Sequence, residues 1–289
     1  MLDVLHDDRF IDKAPATVFA QLLDEGIYLC SPRTMYRILH ENKEVRERRD
    51  QLRHPEYKKP ELLAEGPNQV WSWDITKLRG PEKWKHYYLY VVMDIYSRYV
   101  VGWMIATRGN AELATMLIEE TCMREHVDEN ELIIHSDRGP EMTSKVVAQL
   151  LADLGVTKSH SRPHTSNDNP YSEAQFKTLK YHSTFPKQFG SIEDARSYCR
   201  EFFNWYNEEH VHSSIGLMTP AAVHSGAAVV LREKRQRVLA HAYSEHPERF
   251  VNGCPDAPVL PKCAWINPPK ATRDAFVAAT GAGAVVLNV

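Results

Sequence analysis

Hydrophobic positions in the first sixty residues recur at the three- and four-residue spacing of amphipathic helices. One predicted helix opens near Ala14 and stops at Gly26, because glycine commonly ends helices. A second begins after Ser31 and Pro32, an N-cap residue followed by a first-turn proline. Two short helices joined by a turn predict a helix-turn-helix-like unit, although an ordinary helical hairpin with a charged face is the commoner origin of this pattern.

From Gln69 onwards the pattern changes to alternation and short apolar runs, which are typical of strands. The predicted order is three strands, a helix, a strand, a helix, a strand and then several helices. The segments are VWSWDITKL, two strands within HYYLYVVMDIYSRYVVGWMIA, a helix from Asn110, LIIHSD, a helix from Thr143 to Gly155, VTKSHS, a helix after Asn169, and helices at 191–209 and 227–243. This order predicts an α/β fold with a mixed five-stranded sheet and helices.

Three regions follow from these patterns. Residues 1–60 are predicted to be helical and to end in a charged, proline-spotted linker. Residues 68–225 hold the α/β region. Residues 226–289 are predicted to be a helix followed by a loosely ordered tail, because the chain after Pro247 is rich in proline and small residues.

Three acidic residues stand where predicted strands or helices begin or end: Asp74, Asp137 and Glu173. Three converging carboxylates with no fixed cation would repel one another, and oxygen-rich sites of this kind suit magnesium or manganese. Two such ions can activate an attacking oxygen and stabilise a leaving one during phosphoryl transfer. A single acid is more often a surface charge or a helix cap. However, an acid at the end of a buried strand is costly unless a charge pairs with it.

Composition narrows the class of protein. The chain is 43% hydrophobic and 25% charged, which is typical of globular proteins. It has no long apolar run and no signal-peptide pattern, and its five scattered cysteines favour the cytoplasm over a disulfide framework. The net charge of −3 argues mildly against nucleic-acid binding. Between Arg33 and Lys59, however, nine Lys or Arg residues face five acids, and a local basic patch is sufficient.

The motifs around the acids resemble those of one family. They are HSDRG, NDNPYSEAQFKTLK and FFNWYNEEHVHSSIGLMTPAAVH, with thirty-five residues between Asp137 and Glu173. From about Asp7 to Pro269 the chain resembles the DDE transposases of bacterial insertion sequences, in the group closest to retroviral integrases. It is similar to the product of the second of two overlapping reading frames in such elements. The resemblance implies a ribonuclease-H-like integrase core that cleaves and transfers DNA strands with two Mg²⁺ or Mn²⁺ ions.

The resemblance also implies roles and partners. Asp74, Asp137 and Glu173 would be both catalytic residues and metal ligands, and Lys180 would contact DNA. Expected partners are double-stranded DNA at element ends and targets, further copies of the chain on DNA, and an upstream-frame protein. No membrane partner is expected, and the expected location is the cytoplasm, in association with the nucleoid.

Other DNA contacts are predicted from the residues themselves. Lys177 shares one helix face with Glu173 and Lys180, although an ordinary intrahelical Glu–Lys pair gives the same spacing. His135 lies two residues before Asp137 and would either hold that carboxylate or contact a phosphate; a structural histidine is nearly as plausible. Arg138 belongs to the turn after the strand, where Gly139 permits close approach of a phosphate.

Arg33 and Arg37 are the predicted DNA contacts of the N-terminal unit. The pattern departs from the family at Pro140 and Glu141, where small polar residues are usual, and an additional acid there would hinder DNA. Two alternatives therefore remain open. One is a catalytically silent, element-derived DNA-binding protein, and the other is a ribonuclease-H-like nuclease.

Overall fold

A computed structural model describes residues 1–10, 13–42, 44, 58–128, 130–163, 165 and 168–274. The chain forms two compact units, Met1–Glu56 and Tyr57–Val289. Most of the predicted linker, residues 45–57, and the end of the predicted tail, residues 275–289, lie outside the described residues. Within the described part, no helix has both the length and the apolar character needed to cross a membrane.

The N-terminal unit is a small helical cluster. It contains α1 (Leu2–Leu5), α2 (Pro15–Asp24) and α3 (Pro32–Glu41). The buried side chains are Leu5, Phe10, Val18, Leu22 and Met35. Ser31 caps α3 as predicted, because its Oγ accepts a hydrogen bond from the backbone N–H of Thr34 at 3.3 Å.

The second unit is built on a mixed five-stranded sheet. Its strands are β2 (Val70–Arg79), β3 (His86–Asp94), β4 (Val100–Ala106), β5 (Ile133–Ser136) and β6 (Thr157–His160), and a short strand β1 (Leu62–Ala64) precedes them. The order across the sheet is β4-β3-β2-β5-β6. The first three of these strands pair antiparallel, whereas β2, β5 and β6 pair in parallel. This arrangement confirms the predicted α/β, ribonuclease-H-like fold.

Helices α4 (Ala111–Arg124) and α5 (Lys145–Asp153) cover one face of the sheet, and α6 (Pro170–Lys180) and α7 (Ile192–Glu208) cover the other. Two further helices, α8 (Pro220–His224) and α9 (Ala228–Glu245), follow α7 along the chain. Because successive strand side chains alternate between faces, Val70 and Leu78 pack with α6 and α7, whereas Trp71 and Trp73 pack with α4 and α5. The two tryptophans that flank Asp74 are therefore core residues of the face opposite α6.

Asn110 and Asn169 stand at the predicted N-cap positions of α4 and α6, but the Asn169 side chain makes no capping hydrogen bond. Asn110 caps α4, and its side chain accepts a hydrogen bond from the backbone N–H of Glu112; Ser191 caps α7 in the same way through Asp194. The predicted start of α5 at Thr143 is wrong by one position. Ser144 is the N-cap, because its Oγ accepts a hydrogen bond from the backbone N–H of Val147 at 3.3 Å.

The C-terminal region contains a strand that the sequence pattern did not predict. Residues 264–266 form β7 (Ala264–Ile266), which pairs antiparallel with β1. The Tyr171 hydroxyl in α6 also donates a hydrogen bond to the backbone oxygen of Trp265 at 2.8 Å. This part of the region after Pro247 is therefore ordered, and the prediction of a loose tail does not hold for it.

Candidate active site

Two polar rows cross the parallel half of the sheet. The register pairs Ser72 with His135 and His135 with Ser159, which places these three residues in one row across β2, β5 and β6; Ser72 and His135 are fully buried. The last pair of β2 and β5 is Trp73 with Ser136, so the next row along the same face begins with Asp74 and Asp137. Neighbouring strands lie about 4.8 Å apart. The sheet therefore brings the first two predicted acids together.

Helix α6 brings in the third acid. The buried Ser72 hydroxyl donates a hydrogen bond to Asn169 Oδ1 at 2.5 Å, and its oxygen lies 2.5 Å from Ser172 Oγ. These contacts attach the start of α6 to β2 two residues before Asp74. Glu173 follows Ser172 and stands at the same end of the helix.

Electrostatic coupling shows that the three carboxylates share one region. Burial raises the pKa of Asp74 to about 7, and the charges of Asp137 and Glu173 add to this effect; the Ile75 N–H and the Lys180 ammonium oppose it. Burial and the Asp137 charge likewise raise the pKa of Glu173, while Lys177 lowers it. The acids therefore repel one another, and this repulsion is strongest when all three are ionised.

Hard oxygen donors of this kind fit Mg²⁺ or Mn²⁺. In the described part of the chain, no three His, Cys, Asp or Glu side chains are close enough together to form a ready metal-binding group. The three acids are thus electrostatic neighbours that have not closed into a complete ligand set. Their mutual repulsion is consistent with that spacing, and the charges of Lys177 and Lys180 offset it only in part.

Hydrogen bonds from neighbouring residues orient the carboxylate of Asp137. The Ser161 hydroxyl donates to Asp137 Oδ1 at 2.6 Å and lies 3.3 Å from His135 Nε2. His135 Nε2 also lies 2.8 Å from the backbone oxygen of Asp168, and its Nδ1 lies 3.0 Å from Ser159 Oγ. Burial lowers the pKa of His135 to about 4, so the ring is neutral at ordinary pH.

This geometry corrects one predicted contact. His135 is fully buried, with 0% of its surface exposed, so it does not reach a phosphate as a DNA contact would require. It supports Ser161 and, through it, Asp137. The alternative reading of His135 as a residue that helps to hold the carboxylate is the one that this geometry favours.

The predicted cationic residues surround the acids. Lys177 and Lys180 are exposed on α6, and their charges act on Glu173 and Asp74 respectively. Arg138 donates a hydrogen bond from Nε to the backbone oxygen of Ser161 at 2.9 Å. Together with Asp137, Arg138 lines an open cavity of about 770 Å³. In the separate N-terminal unit, Arg33 and Arg37 are exposed on α3, and Arg37 Nε lies 3.8 Å from Glu41 Oε1.

An ion pair between the half-buried Arg162 and the buried Asp168 closes the loop beside the site, and the sequence pattern did not reveal it. Arg162 donates to both carboxylate oxygens of the fully buried Asp168, at 2.9 and 3.0 Å, and Asn267 Nδ2 donates at 2.7 Å. Burial raises the pKa of Asp168, but these donors outweigh it and leave the pKa below its usual value. Residues 164, 166 and 167 of this polar loop lie outside the described residues.

Glu141, the departure from the family pattern, lies on the side of the site that faces α4. The Glu141 carboxylate lies so close to Gly109 that a larger residue there would collide with it: a Cβ atom added at Gly109 would be 2.3 Å from Glu141 Oε1. Burial raises the pKa of Tyr90 on β3, and the charge of Glu141 adds to this effect. This acid is therefore packed against the loop that precedes α4.

A ribonuclease-H-like sheet with acids on β2, after β5 and on α6 defines the integrase core class. Two family models, both described as integrase core domain, match residues 64–166 and 154–220. Residues 64–220 of the chain therefore match the integrase core family. Over this region the chain is similar to transposases of bacterial insertion sequences, as the relatives below indicate.

The transposase for insertion sequence element IS904 of Lactococcus lactis is 31% identical over 158 residues, which cover 54% of this chain and 61% of that protein. Transposase InsF for insertion sequence IS3A of Escherichia coli is 34% identical over 164 residues, which cover 55% of each chain. The chain thus matches between about half and three fifths of the length of these curated relatives.

Among solved structures, the HTLV-2 integrase catalytic core domain in complex with magnesium aligns with a TM-score of 0.42 and 16% identity. The alignment covers 55% of this chain and 97% of that one. The fold assignment for the present chain rests on its own strand order.

Proposed function

We propose that this chain is a transposase that cuts the DNA ends of a mobile element and joins them to target DNA. Asp74, Asp137 and Glu173 are its catalytic carboxylates and the ligands of two Mg²⁺ or Mn²⁺ ions. One observation carries the proposal. The parallel register of β2 and β5, together with the attachment of α6 to Ser72, brings these three acids within electrostatic reach of one another.

In the proposed reaction, water or a 3′-hydroxyl attacks a phosphodiester bond, and the opposite oxygen leaves. Bound metal ions would activate the attacking oxygen and stabilise the leaving one. The residues of the chain prepare the site for this chemistry. Ser161 orients Asp137, and the contacts of Ser72 hold the start of α6, so that Glu173 stays beside the two strand carboxylates.

The raised pKa of Asp74, about 7, means that its proton must leave before the carboxylate can bind a cation. Lys180 favours this loss of the proton, because its positive charge stabilises the ionised carboxylate. At neutral pH the site is therefore poised between a protonated form and a form that is ready to bind metal.

DNA binding is assigned to two groups of residues. Lys177, Lys180 and Arg138 surround the acids and would bind the phosphates on either side of the reacting bond. Arg33 and Arg37, exposed on a capped helix of the N-terminal unit, would contact the element ends. The expected assembly is several copies of the chain on double-stranded DNA, with an upstream-frame protein as a further partner.

The test is cleavage of a labelled element end with Mg²⁺ or Mn²⁺, followed by joining to a plasmid target. Asp74→Asn, Asp137→Asn and Glu173→Gln should each lower both steps by at least roughly 100-fold, because each removes a metal ligand. Glu201→Gln, an exposed acid on α7, is the matched control and should react like the wild type. Cleavage near the wild-type rate in any one of the three variants would rule out the three-carboxylate site.

The same experiment separates the alternatives. A silent DNA-binding protein would bind the end without metal-dependent cleavage. A ribonuclease-H-like nuclease would cut RNA–DNA hybrids and would join nothing to the target.

A further inference from the structure

The tip of the β2–β3 hairpin, residues 80–85, carries an unusual tryptophan. Trp84 is 81% exposed, whereas Trp71 and Trp73 on the preceding strand are fully buried. Large aromatic side chains normally contribute their area to a core or to an interface. An isolated ring at the end of a hairpin contributes little to the stability of the fold, so its position indicates that it contacts a ligand.

The backbone of Trp84 supports this interpretation. Its φ is +73°, in the left-handed region that disfavours bulky residues and favours glycine or asparagine. Strained conformations of this kind cluster at functional sites. Lys83 Nζ lies 5.6 Å from the centroid of the Trp84 ring, and the backbone oxygen of Trp84 lies 3.0 Å from His86 Nδ1.

The surface around the ring is basic. Four exposed cationic residues lie within the segment 77–85, against one acid: Lys77, Arg79, Lys83 and Lys85 against Glu82. The charge of Glu82 is partly offset, because its Oε1 lies 3.8 Å from Lys85 Nζ. A stacking ring among cations is the combination with which proteins bind single-stranded nucleic acid.

Helix α6 and the segment after it connect the candidate active site to this tip. Helix α6 starts at its contact with Ser72, and the segment after α6 returns to β2 where the backbone N–H of Phe189 donates to the oxygen of Arg79 at 2.9 Å. Gln188 of that segment lines a cavity of about 430 Å³ together with Arg79 and Trp84.

The distance suits a short stretch of DNA. Arg79 lies five positions after Asp74 on β2, which corresponds to about 17 Å of strand. At about 3.4 Å per nucleotide along one DNA strand, this is a length of about five nucleotides.

We propose that the hairpin tip binds the DNA strand a few nucleotides from the reacting bond, with Trp84 stacked on an unpaired base and Lys83 and Lys85 on the adjacent phosphates. The assignment rests on the proposed function, which places DNA at the acids. It adds a contact for unpaired DNA that lies outside the carboxylate site and outside α6.

The test compares two labelled DNAs without metal, by fluorescence anisotropy on the full-length protein. One is a blunt duplex and the other is the same duplex with a five-nucleotide single-stranded overhang. Trp84→Ala should weaken binding of the overhang DNA about 10-fold, with less than a twofold effect on the blunt duplex. Trp84→Phe should keep most of the preference. The double variant K83A/K85A should lower the salt slope of overhang binding by about 1.4, because each phosphate contact to single-stranded DNA contributes about 0.7.

Met123→Ala removes another exposed hydrophobic side chain, on α4, and should bind both DNAs like the wild type. Equal binding of the overhang DNA by Trp84→Ala and the wild type would overturn the proposal, and so would an equal loss on both DNAs. Thermal unfolding of Trp84→Ala and Trp84→Phe checks that neither result comes from misfolding. If wild-type protein shows the Trp84-dependent preference but no metal-dependent cleavage, the proposed function fails and the contact stands. If it cleaves DNA but lacks the preference, the reverse holds.

Discussion

At the scale of single residues, Asp74 is costly for the fold. It is largely buried on a strand, beside two other acids, with a backbone N–H and one lysine as its favourable partners. The folded chain therefore binds a proton at Asp74 up to about pH 7, whereas the unfolded chain loses it near 3.8. At Asp74 the folded state holds more protons across this window, so the contribution of this residue to stability falls as pH rises from about 4 to 7.

Asp74→Asn should therefore stabilise the metal-free protein at pH 8, by roughly 1–3 kcal/mol, and the gain should vanish near pH 4. Denaturant unfolding across this pH range measures both curves. Mg²⁺ should raise the stability of the wild type at pH 8 and leave Asp74→Asn nearly unchanged. A variant that is less stable than the wild type at pH 8 would show that Asp74 contributes to packing more than it repels its neighbours.

At the scale of elements, α6 combines three roles in eleven residues. It attaches to β2 through Ser172, presents Glu173 to the strand carboxylates, and exposes Lys177 and Lys180 on the same side. Its other face is buried through residues such as Leu179. Helical periodicity separates the buried face from the face that carries Glu173, Lys177 and Lys180.

Lys177→Ala and Lys180→Ala should each weaken binding of duplex DNA and lower the salt slope by about one, because each would remove a phosphate contact. Anisotropy titrations at several salt concentrations give the slopes. Lys234→Ala, an exposed lysine on α9, is the matched control. Slopes equal to that of the control would reduce the two α6 lysines to surface charges.

At the scale of the whole molecule, the catalytic unit is closed by residues far apart in the chain. Strand β7 pairs with β1, and Asn267 donates to the buried Asp168 across ninety-nine positions. The C-terminal region therefore supports the loop beside the candidate active site, in addition to extending the sheet contacts.

Ending the chain after Lys270 should leave folding and metal-dependent cleavage intact, because β7 and Asn267 remain. Ending it after Lys262 removes both and leaves Asp168 with fewer donors, so stability should fall by about 2–4 kcal/mol. Denaturant unfolding and end cleavage measure the two truncations side by side. Equal stability of the two proteins would show that β7 adds nothing to the fold.

Local patterns were sufficient for much of this protein. Strand alternation, helix spacing and cap residues predicted the order of strands and helices in the sheet, because these features depend on neighbours a few residues away. The same patterns placed Asp137 directly after a strand and Glu173 in the first turn of a helix, as the structure has them. Asp74 was also expected where an element begins or ends, but it lies in the middle of β2, because the strand continues to Arg79. The motifs around them identified the family.

Tertiary structure decided what depends on partners distant in sequence. His135 is buried against the backbone of Asp168, thirty-three positions away, and this contact excludes the DNA contact predicted for it. Three other features likewise have no signal in the local sequence pattern. They are the ion pair of Arg162 and Asp168, the pairing of β7 with β1, and the exposed ring of Trp84. The type of a residue determines which kinds of partner its side chain can accept. Only the folded chain determines which of those partners is within reach.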